Sequence, residues 1–150
     1  MSIYDAPPMD FDLSADQNAL REAAKDLLDA ECGSDRVRAS EGFDAELWAA
    51  MVEQGWTGVA VDESLGGVGL GTVEAAVLLE QAGAHVAPVP LTQQLIALEA
   101  LAETEWGPAL LSGESIAAVV RTPLERAADG SVSGRPEPVI YGARADVLIA

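Results

Sequence analysis

The feature that most constrains this chain is a cluster of glycines that runs directly into a helical pattern. Four glycines, Gly66, Gly67, Gly69 and Gly71, fall within six residues. Glycine loses more backbone freedom on folding than any other residue, so such a cluster persists mainly where the backbone needs a positive φ or a very close approach to another group. The apolar spacing that follows predicts a mostly buried helix, with Thr72 as its N-cap. Its apolar side is expected to comprise Val73, Ala76, Val77, Leu78 and Leu79.

A glycine cluster before a helix has two interpretations, a phosphate-binding loop and a tight turn between helices. The dinucleotide fingerprint GxGxxG would need a third glycine at the position of Thr72. No alternation of strands and helices follows the glycines, which a Rossmann fold would require. The pattern therefore favours the tight turn.

Capping residues predict further helices on both sides of this turn. After an extended lead-in over residues 1–13, Ser14 and Gln17 form a capping-box pattern for a helix that runs to about Cys32. Asp44 is the expected N-cap of a second helix, which ends at Gly55. A fourth helix is expected from Leu91 or Thr92, because two prolines precede it, and a short one near residues 106–111.

The spacing of apolar residues changes near residue 113 from a helical pattern to one typical of strands. Short apolar runs separated by glycine and proline predict strands at 116–120, 131–134, 139–141 and 146–150. The sequence thus predicts an α+β protein in two parts. Residues 1–113 would form an all-α helical domain, and residues 114–150 the first strands of a small antiparallel β domain.

The charge balance excludes several kinds of partner. The chain carries 25 acidic and 8 basic residues, a formal charge of −17, so nucleic acid and anionic membrane surfaces are unfavourable partners. No Lys or Arg occurs between Arg38 and Arg121. A ligand with several phosphates would need backbone N–H groups, helix N-termini or groups from elsewhere to hold it.

The remaining chemistry-bearing residues predict neither a catalytic constellation nor a metal site. Cys32 is the single cysteine, which suits a reducing compartment, and just beyond a predicted helix end it is expected to be an incidental small residue and not a nucleophile. His85 is the single histidine and is expected to be hydrogen-bonded locally at a helix end. No secretory leader and no run of about 20 apolar residues is visible, so we expect a cytoplasmic protein without a membrane segment.

Several ordered motifs resemble one family. Residues 43–48 (FDAELW), 54–56 (QGW), the glycine run 66–71, Glu80 and residues 88–90 (PVP) occur in the order and spacing of the helical N-terminal domain of the flavin-dependent acyl-CoA dehydrogenases. The resemblance continues more weakly to residue 150.

The resemblance implies a fold and a reaction. Members of this family have a helical N-terminal domain, a middle β domain and a C-terminal helical bundle, and they assemble as homo- or hetero-oligomers. They remove hydrogen from the Cα–Cβ bond of an acyl-CoA thioester with FAD as cofactor. In most members a glutamate of the C-terminal bundle is the base, so no catalytic residue is assigned within residues 1–150.

Candidate FAD contacts follow from the same resemblance. Arg121, Thr122 and Pro123 occupy the positions of the family's Thr-Glu-Pro, of which only the proline is retained. Val139 and Ile140 fall on the last two positions of its flavin-stacking Trp-Ile-Thr, with Pro138 in place of the tryptophan. An aromatic plane and a hydroxyl group are thereby lost.

Three functional interpretations remain open at this point. The chain is the N-terminal portion of an acyl-CoA dehydrogenase whose base lies beyond residue 150, or a non-catalytic partner subunit of a heteromeric enzyme that leaves flavin chemistry to a companion chain. The third interpretation is a helical interaction module without a redox role.

Overall fold

The computed structural model describes residues 12–150, and most of the extended lead-in predicted for residues 1–13 lies outside that range. Helices form the first part and short strands the second. The helices are α1 (Ala15–Glu31), α2 (Ser34–Ala39), α3 (Ala45–Glu53), α4 (Thr72–Ala84), α5 (Leu91–Leu101) and α6 (Gly107–Leu111), with a 3₁₀ turn at Glu63–Leu65. The strands are β1 (Ala117–Val119), β2 (Glu125–Arg126), β3 (Val132–Ser133) and β4 (Val147–Ile149).

Local capping chemistry determines where α1 and α3 begin. The Ser14 hydroxyl accepts from the Gln17 N–H, and the Gln17 side chain accepts from the Ser14 N–H, which confirms the capping box of α1. The Asp44 carboxylate accepts from the Leu47 N–H at 2.9 Å and caps α3, as predicted. The fourth predicted helix begins at Leu91, whereas α2 was not predicted.

Two clusters of buried side chains form the core. The first joins α1, α3 and α4, with Leu28, Trp48 and Trp56 at 0%, 5% and 4% exposure. Both tryptophans are therefore core residues. The second cluster joins α5 and α6 to β1 and β4. It includes the fully buried Leu110 and Ala117 and anchors the first strand on the helices.

The glycine cluster is a turn that packs against its own chain. The N–H groups of Val68, Gly69 and Leu70 donate to the carbonyls of Gly58, Val61 and Val59, respectively, at 2.8–2.9 Å. Gly66 and Gly69 have φ values of 89° and 72°. A Cβ atom on Gly67 would lie 2.1 Å from the Val61 carbonyl oxygen, so this position requires glycine for lack of space.

The start and orientation of α4 correct two expectations. Gly71, and not Thr72, is the N-cap, and its N–H donates to the Glu74 carboxylate at 2.9 Å. Val73 is 51% exposed and Ala76 is also exposed, although both were expected on the buried side. The face that packs on α1 and the core instead carries Ala75, Val77, Leu78, Gln81 and Ala82.

The α+β class is confirmed, but the strand pairing differs in part from the prediction. β2 and β3 form an antiparallel pair, whereas β1 pairs with β4 in parallel, with Ala117 opposite Val147. Residues 139–141, predicted as a strand, lie in a turn, and β2 was not predicted. The wholly antiparallel β domain is thus wrong, because the chain between β1 and β4 is long enough to return β4 alongside β1 in the same direction. The domain division at residue 113 stays a prediction.

None of the helices described between residues 12 and 150 has both the length and the apolar character needed to cross a bilayer.

Candidate functional site

A groove of about 820 Å³ opens between α4, α5 and the segment that leads into the glycine turn. Its volume lies in the range typical of sites for small organic ligands. Most of its walls are apolar, and Ile96, which is 51% exposed, presents its side chain there. The apolar lining consists of Ala60, Val61, Leu65, Ala75, Ala76, Leu79, Leu95, Ile96, Leu98, Ala100 and Ala102.

The polar groups of the groove are mainly acidic. Three acidic residues, Asp62, Glu99 and Glu103, line it, and Thr57 and Thr72 complete the lining. Hydrogen bonds from the Ser64 side chain and backbone N–H lower the pKa of Asp62, so this group is ionised at neutral pH. Because the lining contains no basic residue, the groove suits an apolar group and disfavours phosphates.

The N–H groups of the glycine turn, residues 66–71, are all occupied within the chain. Those of residues 66–70 donate to carbonyls of residues 58–63, and the Gly71 N–H donates to the Glu74 carboxylate. The same Glu74 carboxylate accepts from the Gln17 side chain at 2.9 Å, which ties α1 to the start of α4. The tight-turn interpretation of the glycine cluster is therefore the one that the backbone contacts support.

One hydrogen bond connects the two regions of sequence that contain the segments proposed to contact FAD. Arg121, Thr122 and Pro123 follow β1 after one intervening residue, Val120. The Thr122 hydroxyl oxygen accepts from the Glu137 N–H at 3.1 Å, two residues before Val139. A contact between residues 15 positions apart thus links the first segment to the stretch that leads into the second.

The second segment, Val139 and Ile140, does not by itself fit an isoalloxazine ring. Ile140 is 63% exposed, and Val139 begins a turn closed by the Gly142 N–H and the Val139 carbonyl at 3.0 Å. Tyr141 has the single aromatic ring of residues 121–150, and burial raises the pKa of its hydroxyl. A surface aliphatic side chain and a bent backbone replace the aromatic plane and hydroxyl that would contact the flavin.

His85 and Cys32 belong to a structural contact between α1 and α4. The His85 ring nitrogens contact the Gln81 carbonyl at 2.8 Å and the Asp29 carboxylate at 2.9 Å. The Cys32 thiol donates to the His85 carbonyl at 3.6 Å, and burial raises its pKa. The local role expected for His85 is confirmed, and the protonated, buried Cys32 is not an activated nucleophile. Among residues 12–150 no group of three or more His, Cys, Asp or Glu is arranged to hold a metal ion.

Sequence reasoning missed the residues that form the groove. They come from three separate segments, so no single motif contains them. The available signal was α5, whose apolar residues extend around the helix beyond one face. A helix that is apolar on more than one side must bury each of these sides against another group. In α5 one side packs on the core and another side lines the groove.

Comparison with known proteins places this architecture in one class. The fold matches the corresponding part of the ChsE4–ChsE5 complex from Mycobacterium tuberculosis, with a TM-score of 0.81 and 28% identity over 93% of this chain and 44% of that one. It also matches a variant of the Tcur3481–Tcur3483 steroid ACAD, with a TM-score of 0.63 and 36% identity over 70% of this chain and 32% of that one.

The sequence comparisons define the family. The profile of the acyl-CoA dehydrogenase N-terminal domain matches residues 14–114. The acyl-CoA dehydrogenase IpdE2 of Mycolicibacterium smegmatis is 33% identical over 92% of this chain and 43% of its own length. The chain therefore belongs to the acyl-CoA dehydrogenase family, and it spans less than half the length of this relative.

Proposed function

We propose that this chain forms the acyl-binding part of an acyl-CoA dehydrogenase, which oxidises the Cα–Cβ bond of an acyl-CoA thioester. The observation that carries the proposal is the apolar groove of about 820 Å³ between α4 and α5 in a chain of this family. The acyl group would occupy the groove. The base that removes the α proton and the groups that complete the flavin site would come from outside residues 12–150.

The charge of the groove supports a division of the substrate between this chain and other segments. Asp62, Glu99 and Glu103 disfavour the phosphates of coenzyme A, whereas the apolar walls favour the acyl chain. Basic groups that neutralise the phosphates would therefore belong to another part of the assembly.

The size of the groove supports a bulky acyl group. About 820 Å³ is near the upper end of the range for small-molecule sites. One solved relative is described as a steroid ACAD. We propose a large, ring-containing acyl-CoA of the steroid type as the substrate class.

A second role within the same reaction is favoured by the segments after β1. Because residues 138–140 lack the aromatic plane and the hydroxyl that would contact an isoalloxazine ring, we propose that the chain acts as the partner subunit of a heteromeric enzyme and that a companion chain completes the FAD site. The two solved relatives carry paired names, ChsE4–ChsE5 and Tcur3481–Tcur3483. Repulsion between two copies of a chain with a formal charge of −17 also favours a different companion. A cytoplasmic location is part of this proposal.

Flavin absorption separates the two roles. The chain is purified alone and after co-expression with a candidate companion, a second acyl-CoA dehydrogenase chain from the same organism. The partner-subunit role predicts a colourless chain and a yellow complex. A flavin absorption band in the chain alone would contradict the partner-subunit role and support an enzyme that binds FAD without a companion chain.

A groove-filling substitution tests acyl binding in the complex. Ala76→Trp places an indole into the groove from an exposed position, and Ala23→Trp places the same group on the exposed surface of α1 as a control. We expect Ala76→Trp to raise KM for the acyl-CoA at least about tenfold, since the acyl group loses apolar contact area, and Ala23→Trp to leave KM unchanged. Equal KM values for both variants would contradict the proposal.

A further inference from the structure

Two neighbouring glutamines of α5, Gln93 and Gln94, are buried in an otherwise apolar stretch. Their side chains are 8% and 0% exposed. An amide removed from water is costly unless it is hydrogen-bonded, so a buried pair in a helix calls for a specific set of partners.

Gln94 makes three hydrogen bonds, all to backbone groups outside its helix. Its amide NH₂ donates to the carbonyls of Leu110 at 2.7 Å and Ser115 at 2.8 Å, and its carbonyl oxygen accepts from the Ala117 N–H at 2.9 Å. Two carbonyls and one N–H fix the orientation of the amide. A flipped amide would place its oxygen against the two carbonyls and its NH₂ group against the N–H of Ala117.

Gln93 repeats this contact two residues further along β1. Its side-chain oxygen accepts from the Val119 N–H at 2.9 Å. Ala117 and Val119 direct their N–H groups to the same edge of β1, since alternate residues of a strand bond to the same side.

The opposite edge of β1 is occupied by β4. The Asp146 N–H donates to the Ile116 carbonyl at 2.8 Å, and the Val120 N–H donates to the Ile149 carbonyl at 2.7 Å. The two glutamines thus satisfy one edge of the strand in the way a further strand would, and they attach that edge to a helix.

The attachment connects the two parts of the candidate site. Ile96 and Glu99, on the same helix as the glutamines, line the groove, and residues 121–123 follow the strand that the glutamines hold. Thr122 then holds the segment that begins at Glu137. A continuous series of contacts therefore runs from the groove wall to residues 121–123, the first segment proposed to face the cofactor, and on to Glu137, two residues before Val139.

We infer that Gln93 and Gln94 are positioning residues, which set the distance between the acyl-binding groove and the cofactor-side segment after β1. The inference rests on the proposed function, because it assigns the residues to the alignment of acyl group and cofactor in that reaction. A displacement of about 1 Å between reacting groups can lower a rate about a hundredfold. A rigid link at this junction therefore has a kinetic consequence beyond stability.

The test uses the purified, flavin-containing complex with Gln93→Leu, Gln93→Glu and the exposed-glutamine control Gln54→Leu. Gln93→Leu removes the acceptor for Val119, whereas Gln93→Glu retains an oxygen at that position. We expect Gln93→Leu to speed amide hydrogen exchange in residues 114–121 about fivefold to thirtyfold, the change that loss of one buried contact allows. We also expect kcat per bound flavin to fall at least about tenfold while KM stays within about twofold, because the groove is intact. Gln93→Glu should restore most of kcat, and Gln54→Leu should change neither quantity.

Gln94→Leu provides a second variant, since it leaves the Ala117 N–H and two carbonyls without this partner and should change exchange and kcat more than Gln93→Leu does. Faster exchange in either variant with an unchanged kcat per flavin would show a role in stability alone and overturn the inference. Unchanged exchange in both variants would overturn it as well. If the unmutated complex lacked flavin or dehydrogenase activity, the proposed function itself would fail and the inference with it. An active complex whose kcat does not respond to substitution of Gln93 would overturn the inference alone, so the two failures can be distinguished.

Discussion

The helical region, residues 12–113, and the β region, residues 114–150, differ sharply in how much of their apolar surface they bury. The helical region has a continuous core around Leu28, Met51 and Leu78. Within residues 114–150 the buried residues are Ala117, which packs on α5 and α6, and Ala118. Val132, Ile140 and Leu148 are 56%, 63% and 57% exposed. The helical region is thus stabilised by its own side chains, whereas the β region offers an apolar surface that, in our proposal, the rest of the dehydrogenase covers.

The largest effect should come from a comparison of one leucine in each region, Leu28 in the helical core and Leu148 in the β region. Leu28→Ala removes a fully buried side chain and should lower the free energy of unfolding by about 3–4 kcal/mol. Leu148→Ala, at an exposed position of β4, should change it by less than about 1 kcal/mol in the isolated chain. Denaturant unfolding measures both. Equal losses would show that the β region has a core of its own and would remove the contrast.

The glycine turn should be nearly as sensitive as the core. Gly67→Ala places a methyl group against the Val61 carbonyl and should cost about 3 kcal/mol, because backbone would have to move. Gly83→Ala, with no atom within 4 Å of the added Cβ, should leave the chain as stable or more stable by up to about 1 kcal/mol. Thermal unfolding of the two variants measures both effects. An unchanged stability of Gly67→Ala would contradict the close packing described for this turn.

Asp44 provides an intermediate effect at the border of the helical core. It caps α3 and also pairs with Arg36 at 2.5 Å, which lowers the pKa of Asp44 to about 2. Asp44→Ala should cost about 2 kcal/mol, and Asp44→Asn less, because asparagine retains the cap.

The pH dependence of the Asp44 contact has a defined sign. A carboxyl group whose pKa is lower in the folded state than its ordinary 3.8 stabilises the fold above pH 4 and loses that effect as pH falls toward 2. The stability difference between the wild type and Asp44→Asn should therefore shrink over this range in urea titrations. A constant difference would contradict the ion pair.

The smallest effect concerns the contact between His85 and Asp29. The Asp29 carboxylate raises the pKa of His85 above its ordinary 6.5, while Lys25 opposes this shift. The contribution is fully present below pH 6.5 and is lost as pH rises through the raised value. The melting-temperature difference between the wild type and His85→Gln should be larger at pH 6 than at pH 8.5. A difference that grows with pH would contradict the assigned partner.

The sequence predicted best those features that depend on neighbouring residues. The capping contacts of Ser14 with Gln17 and of Asp44 with Leu47 each lie within one helical turn. The starts of α1 and α3 could therefore be predicted from the local sequence. The buried side of α4 was misjudged, because Val73 and Ala76 are apolar yet lie away from the core, which only the packing of α1 and α5 decides. The same holds for the parallel pairing of β1 with β4, which two three-residue strands cannot encode locally.

The candidate site was predicted less completely than the fold. The assignment of Thr122 as an FAD contact stays a prediction from family resemblance, and the structure adds its hydrogen bond to Glu137, two residues before Val139. The groove could not be predicted, because its walls come from residues as far apart as Thr57 and Glu103. The roles of Gln93 and Gln94 were hidden for the same reason, since their partners lie 16 to 26 residues away along the chain.

Hydrogen exchange of the chain, alone and in complex with its companion, tests the contrast between the two regions most directly. We predict that amides of α1, α4 and α5 exchange slowly in both states, whereas amides of residues 121–146 exchange rapidly in the isolated chain and become protected in the complex. Residues 121–146 that are as protected in the isolated chain as α4 is, or that gain no protection in the complex, would contradict the account.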